Sequence, residues 1–186
     1  TSRGLGDVYK RQGLLKGNKG SVYEGGFRVP AVAWMPKSIP VVTSTALATT
    51  LDLFPTILSQ VDKDFEFKSI DGFDITKTLF ENTPVRTDVH YYRQDTLIAL
   101  RHKEWKLFIK DPNPWDDGPK QKDMPLLYNI EHDPSEKYDL AKDNPEIVQK
   151  LNIRCQDHIN STYKAPSKYE AILPAYQSAY DENNKK

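Results

Sequence analysis

Apolar residues recur with different spacings along this chain, and the order of those spacings restricts the fold more than any other feature. Ala31-Val32-Ala33-Trp34-Met35 is a short continuous run bounded by Pro30 and Pro36. Such a run predicts a buried strand of a parallel or mixed sheet. From Ser44 the spacing changes to three and four, through Leu47, Leu51, Phe54, Ile57, Leu58 and Val61. That pattern predicts an amphipathic helix capped by Ser44 or Thr45. Pro55 falls inside it, so the helix either kinks there or divides into two shorter turns. A charged loop over 62–69, a turn at Ile70–Asp74 and a helical turn at Ile75–Phe80 follow. From Asp88 the chain reads as strands: Val89–Arg93, then Thr96–Arg101 and Trp105–Lys110 as a hairpin, then Leu126–Ile130. Asn144-Pro145-Glu146 places Asn at the cap and Pro at the first position of a last helix. Its inner face is carried by Ile147, Leu151, Arg154 or Cys155, and His158 or Ile159. The expected class is α/β, with an antiparallel sheet and a helix toward the C-terminus.

Composition excludes several functions. Twenty-six Lys and Arg balance 26 Asp and Glu, so the basic surplus of a nucleic-acid-binding body or an acidic-membrane-binding face is missing. No apolar run approaches the roughly 20 residues that span a bilayer. The single cysteine, Cys155, cannot form an intrachain disulfide and leaves the redox compartment undecided. Both ends read as non-core. Thr1–Gln12 has no structural period, and Asp7-Val8-Tyr9-Lys10-Arg11-Gln12 matches one reading frame of a transposon-end adapter used to prepare DNA for sequencing. On that reading native sequence starts near Gly13 and an upstream part is lost. Residues 166–186 are polar and unpatterned, which predicts a loosely held tail.

Familiar site motifs mostly fail. Gly13–Gly20 lacks the spacing of a phosphate-binding loop. The acidic run at Asp62, Asp64 and Glu66 has Phe67 and Phe73 where a calcium loop needs Gly and Glu. His90, His102, His132 and His158 form no metal-ligand pair. Cys155 sits on a helix and reads as a buried thiol rather than a nucleophile. Asn160-Ser161-Thr162 is a glycosylation sequon. One stretch remains, Gly17-Asn18-Lys19-Gly20-Ser21-Val22-Tyr23-Glu24-Gly25-Gly26-Phe27-Arg28-Val29-Pro30. Its glycines permit positive φ and close approach to a ligand, and they carry Lys19 on a loop, where binding groups concentrate. On the residues alone Lys19 is either an anion-binding cation or a solvated loop lysine.

That stretch resembles the K-G-x-x-Y-E-G-G-x-R-V-P-A signature of the sulfatase family. Thr49–Ile57 resembles the family's S-x-x-D-[LI]-x-P-T-[LI] helix, and Asp71-Gly72-Phe73-Asp74 its D-G-x-[SD] turn. Tyr91-Tyr92-Arg93, Leu97–Trp105 and Leu126–Glu136 resemble the C-terminal sheet of its arylsulfatase A-like members. The motifs follow the family's order from about Gly17 to Glu146. The implied fold is the end of an alkaline-phosphatase-like sheet domain over 13–84, then a small antiparallel-sheet subdomain with a helix over 85–165.

The resemblance implies that the intact parent hydrolyses sulfate esters, aryl or carbohydrate, and that Lys19 contacts a sulfate oxygen, stabilising charge on the sulfuryl group. Glu24 and Arg28 match family positions and read first as structural, holding the Gly-rich turn and the strand entry. The family's nucleophile is a formylglycine made from cysteine in C-x-[PA]-S-R, and its calcium sits on acidic residues upstream. Arg154-Cys155-Gln156-Asp157 does not match the former, and Gly6-Asp7-Val8 does not match the metal pair that precedes the lysine. The expected molecule is therefore a C-terminal fragment, inactive alone, with calcium and formylglycine belonging to the parent. The loop from Asp111 to Met124 is the candidate substrate rim. There Trp115 would stack on a sugar, and Lys120 or Lys122 would meet a second anionic group; the competing reading is a solvated turn with Trp115 over its own core. The implied partner is a sulfated small molecule or glycan, and the implied compartment is periplasmic, extracellular or lysosomal. The alternatives are a related phosphate or phosphonate ester hydrolase, distinguished by an upstream Ser or Thr nucleophile, and a non-catalytic carbohydrate-binding module.

Overall fold

The computed structural model describes residues 14–17, 19–62, 70–112 and 124–162. The chain divides into two compact units, 1–155 and 156–186. At the centre of the first is a four-stranded antiparallel sheet in the order β1-β2-β3-β4, formed by Asp88–Arg93, Thr96–His102, Trp105–Phe108 and Leu126–Asn129. These are the strands read from the sequence. Two-residue loops join β1 to β2 and β2 to β3, with Gln94 and Lys103 at φ 52° and 53°. Alternation then assigns the faces. Register pairs Arg101 with Lys106 and Lys106 with Tyr128, so these share one face with Tyr91, Ala99, Phe108 and Leu126. Tyr91 falls on that face and Tyr92 on the other, where Leu97, Leu100, Leu107 and Leu127 lie, and the register shifts between the two tyrosines, leaving Ile98 of β2 unmatched.

Each face is covered by a different element. The helix Pro145–Ser161 lays Ile147, Val148, Leu151 and Cys155 on the leucine face. It opens at the Asn-Pro pair, with Val148 N–H donating to Asn144 O at 3.1 Å. Ile159, an alternative inner-face position, is exposed. The opposite face receives Val22 and Tyr23, with the Tyr23 ring 5.3 Å from that of Phe108. The helical turn α1, Glu24–Phe27, starts directly after them. Numbered in chain order, the other helices are α2 (Leu53–Val61), α3 (Thr76–Glu81) and α4, the helix Pro145–Ser161.

Two sequence expectations are corrected. Ala31–Met35 forms no strand: Val32 is 94% and Trp34 83% exposed. An extended segment becomes a strand only where another supplies ladder partners, and no described residue does so for this one. The helix expected from Ser44 or Thr45 instead begins with a 3-10 turn at Thr50–Asp52, where Asp52 Oδ2 accepts the Thr49 N–H at 2.7 Å. Pro55 lies in the first turn of α2, where its missing N–H costs nothing, so there is no kink. The apolar stripe of α2 faces outward, with Phe54 61% and Ile57 63% exposed. Its polar side is what packs. Asp52 is fully buried, accepts from Arg86 Nε at 2.8 Å and takes the Phe73 N–H at 2.8 Å. Thr56 Oγ1 accepts the Ile75 N–H at 3.0 Å.

Candidate active-site loop

Lys19 sits exposed in a turn between Gly17 and Gly20, whose φ values are +86° and +93°. Both are left-handed conformations that favour glycine. A side chain at Gly17 would also strike Ser21 Oγ at 2.2 Å, and one at Gly25 would strike Lys16 O at 2.5 Å. Gly25 therefore lets the chain double back, with its N–H donating to Lys16 O at 2.7 Å. The glycines thus fold the segment into a tight loop that lifts the Lys19 ammonium into solvent.

Beneath that loop lies a buried set of charges. Glu24, 2% exposed, presents Oε1 to Lys106 Nζ at 2.9 Å and to the Tyr91 hydroxyl at 3.0 Å. Its Oε2 meets Arg101 Nη1 at 3.3 Å and the more exposed Arg28 Nη2 at 3.4 Å. Lys106, fully buried, also donates to Val22 O at 2.9 Å. Glu136 completes the set: its Oε2 accepts the Glu24 N–H at 2.7 Å. Its Oε1 faces Lys106 Nζ at 2.9 Å in an ion pair, with no hydrogen-bond donor aligned on it. Lys16 Nζ donates to Glu136 O at 3.2 Å and lies 4.2 Å over the Tyr23 ring.

One ammonium between two carboxylates pushes their proton affinities apart. Burial alone would raise Glu24, but Lys106, Arg101 and Arg28 outweigh it and hold its carboxyl below the ordinary 4.5. Burial raises Glu136 above that value, with the Glu24 charge adding to it and Lys106 only partly offsetting it. Burial likewise lowers Lys16, against the attraction of Glu136 and Asp133. The Tyr91 hydroxyl is pushed strongly upward by burial and by the Glu24 charge, so it serves only as a donor.

The hold of Glu24 and Arg28 on the Gly-rich turn is seen here, but the strand entry read for them is not, since Ala31–Met35 forms no strand; Lys16, Lys106, Arg101 and Glu136 were not singled out from the sequence. A signal existed for one of them: a lysine inside the strand Trp105-Lys106-Leu107-Phe108 alternates to the side of Phe108. Trp115, Lys120 and Lys122 lie outside the described residues. Cys155 is buried, and its thiol is pushed up to about 11 by burial and then by Asp88, far from the thiolate a nucleophile requires. Among the described residues no group of three or more His, Cys, Asp or Glu could hold a metal ion. No described helix is long and apolar enough to cross a membrane.

Comparison with known proteins agrees with this layout. The family model described as the C-terminal region of aryl-sulfatase matches residues 84–183, and the sulfatase model matches residues 5–63. Arylsulfatase G of Rattus norvegicus is 33% identical over 147 residues, 72% of this chain and 28% of that protein. N-acetylgalactosamine-6-sulfatase of Sus scrofa is 26% identical over 183 residues, 84% of this chain and 35% of that protein. The solved structure BT33336S-sulf, from work on the metabolism of multiple glycosaminoglycans by Bacteroides thetaiotaomicron, superposes with a TM-score of 0.66 at 26% identity. It is covered over 32% of its length by 78% of this chain. The chain thus spans about a third of the proteins it matches. A Gly-rich lysine loop seated on an antiparallel sheet, with family models matching on both sides of that junction, shows that this chain belongs to the sulfatase family.

Proposed function

We propose that this chain is the C-terminal part of an enzyme that hydrolyses sulfate esters, and that Lys19 binds the sulfuryl group during the reaction. The observation that carries the reading is the Lys19 ammonium held out in solvent between two left-handed glycines. Around it, K-G-x-x-Y-E-G-G-x-R-V-P-A is matched residue by residue. A fixed cation beside the sulfuryl oxygens stabilises negative charge that grows as the ester bond breaks.

The calcium and the formylglycine of the family do not fit the described residues. Among the described residues no group of three or more His, Cys, Asp or Glu is present to hold a cation, and Cys155 is sealed between α4 and the sheet in the wrong motif. Attacking group and metal therefore belong to sequence outside this segment, and the chain by itself does not turn over sulfate esters. A sulfated sugar is the proposed natural substrate class. The likeness to N-acetylgalactosamine-6-sulfatase and to a structure from glycosaminoglycan metabolism supports it.

The test uses the full-length protein containing this segment, with 4-nitrophenyl sulfate and N-acetylgalactosamine 6-sulfate as probes. Lys19→Ala is expected to lower turnover of the better substrate by about 10²–10³-fold, the scale of losing one charge-stabilising donor. An unchanged rate overturns the role given to Lys19. Turnover of phosphate esters in preference to both probes would favour the phosphate or phosphonate hydrolase instead.

A further inference from the structure

The loop bearing Lys19 is met at Gly20 O by Arg93 Nη2 at 3.5 Å. Glycine at 17 and 20 makes the backbone permissive, and the Lys19 side chain is in solvent. Its other anchors lie on either side, and they converge. On the upstream side Lys16 Nζ donates to Glu136 O, and Leu14 O accepts from Ser135 Oγ at 2.6 Å. On the downstream side Val22 O accepts from Lys106, and Glu24 N–H donates to Glu136 Oε2. Lys106 and Glu136 are themselves paired at 2.9 Å. The downstream flank thus ends on the side chains of one buried ion pair and the upstream flank on the backbone of Glu136 and the neighbouring Ser135, the pair being contributed by β3 and by the turn that follows β4.

We infer that the Lys106–Glu136 pair, together with Glu24, is a clasp through which the antiparallel sheet sets the position of Lys19, making Lys106 and Glu136 positioning residues for sulfate-ester hydrolysis. The inference rests on the sulfate-binding role of Lys19 proposed above. Stability does not require these charges, because well-packed apolar side chains of similar volume are often as stabilising as a buried ion pair. What apolar replacements cannot supply is directional anchoring of Val22 O and Glu24 N–H. Orientation matters in catalysis, where a misplacement of about 1 Å can lose about 10²-fold in rate.

The experiment is a double-mutant cycle in the full-length protein, using whichever of the two sulfate esters turns over faster. Glu136→Gln keeps the shape and the acceptor for Glu24 N–H but removes the charge facing Lys106. It is expected to lower kcat by about 10-fold or more with a smaller change in KM. The Lys19→Ala/Glu136→Gln variant is expected to be no slower than Lys19→Ala alone. Lys16→Met, at a half-exposed anchor, is expected to lower kcat to a lesser degree and keeps the test valid where Glu136→Gln fails to fold. The positioning role is overturned if kcat per folded molecule is unchanged in the variant that folds while only Tm falls. It is equally overturned if the losses at 19 and 136 multiply. If Lys19→Ala itself leaves kcat unchanged, the sulfate-binding reading fails and the clasp inference falls with it. A costly Lys19→Ala with multiplying losses removes the clasp alone.

Discussion

Carboxylates carry much of the polar architecture, and four of them are tuned the same way. Glu24, Asp52, Asp74 and Asp88 are each pushed up by burial and pulled further down by partners: Lys106 and Arg101 for the first, Arg86 with two backbone N–H groups for the second, Thr76 and Ser59 for the third, Arg154 and His102 for the fourth. Asp88 shows the geometry, with His102 Nδ1 and Arg154 Nη2 each 2.7 Å from one of its oxygens. A folded-state value below the ordinary one means that the unfolded chain takes up protons first. These groups therefore stabilise the fold above the ordinary values of 4.5 and 3.8, and that stability is lost as pH falls through their folded values. Glu136 works in the opposite sense. Its raised value favours the fold at low pH, and that contribution disappears as pH rises through it. Four groups against one predict a urea midpoint that declines below about pH 4.5. A midpoint that is flat or rises down to about pH 3 would contradict that assignment.

Of the two longer helices, α2 inverts and α4 meets the expectation that an amphipathic helix buries its apolar stripe. Helix α4 does so through Leu151 and Cys155. Helix α2 instead packs through Asp52, Pro55 and Thr56, leaving Leu53, Phe54, Ile57 and Val61 exposed. Periodicity showed which residues share a face but not which face meets the rest of the chain, since that depends on what lies opposite. Leu151→Ala is expected to destabilise the 186-residue chain by about 2–5 kcal/mol through lost burial and a residual cavity. Ile57→Asn is expected to change it by no more than about 0.5 kcal/mol, as for an ordinary surface site. Urea denaturation of the two variants measures both, and a large loss at Ile57 would show that the stripe is covered.

At the scale of the whole molecule, Ala31–Met35 and the α2 stripe leave several large apolar side chains exposed, among them Val32, Trp34, Phe54 and Ile57. Where such side chains gather into one patch, monomeric proteins rarely leave them uncovered. The chain spans about a third of its relatives, and we propose that these side chains belong against the remainder of the catalytic domain, where Ala31–Met35 would find its strand partners. The isolated chain is expected to bind 1-anilinonaphthalene-8-sulfonate strongly and to self-associate as its concentration rises, whereas the full-length protein does neither. Fluorescence titration and sedimentation velocity make the comparison; a monomeric, dye-silent isolated chain would contradict it.

What the sequence determined was local: the four strands, the Asn-Pro start of α4, the buried thiol and the Gly-rich loop that presents Lys19. Alternation, capping and turn chemistry are encoded within a few residues, so they are legible without a fold. What only the tertiary structure decided was long-range. Glu24, Lys106 and Glu136 are brought together by the register of β3 against β4 and by the turn that follows β4, and no spacing along the chain announces that meeting. The same limit explains the misplaced burial of Ala31–Met35 and α2. Apolar pattern states a demand for a partner surface, and whether the demand is met depends on residues elsewhere in the protein.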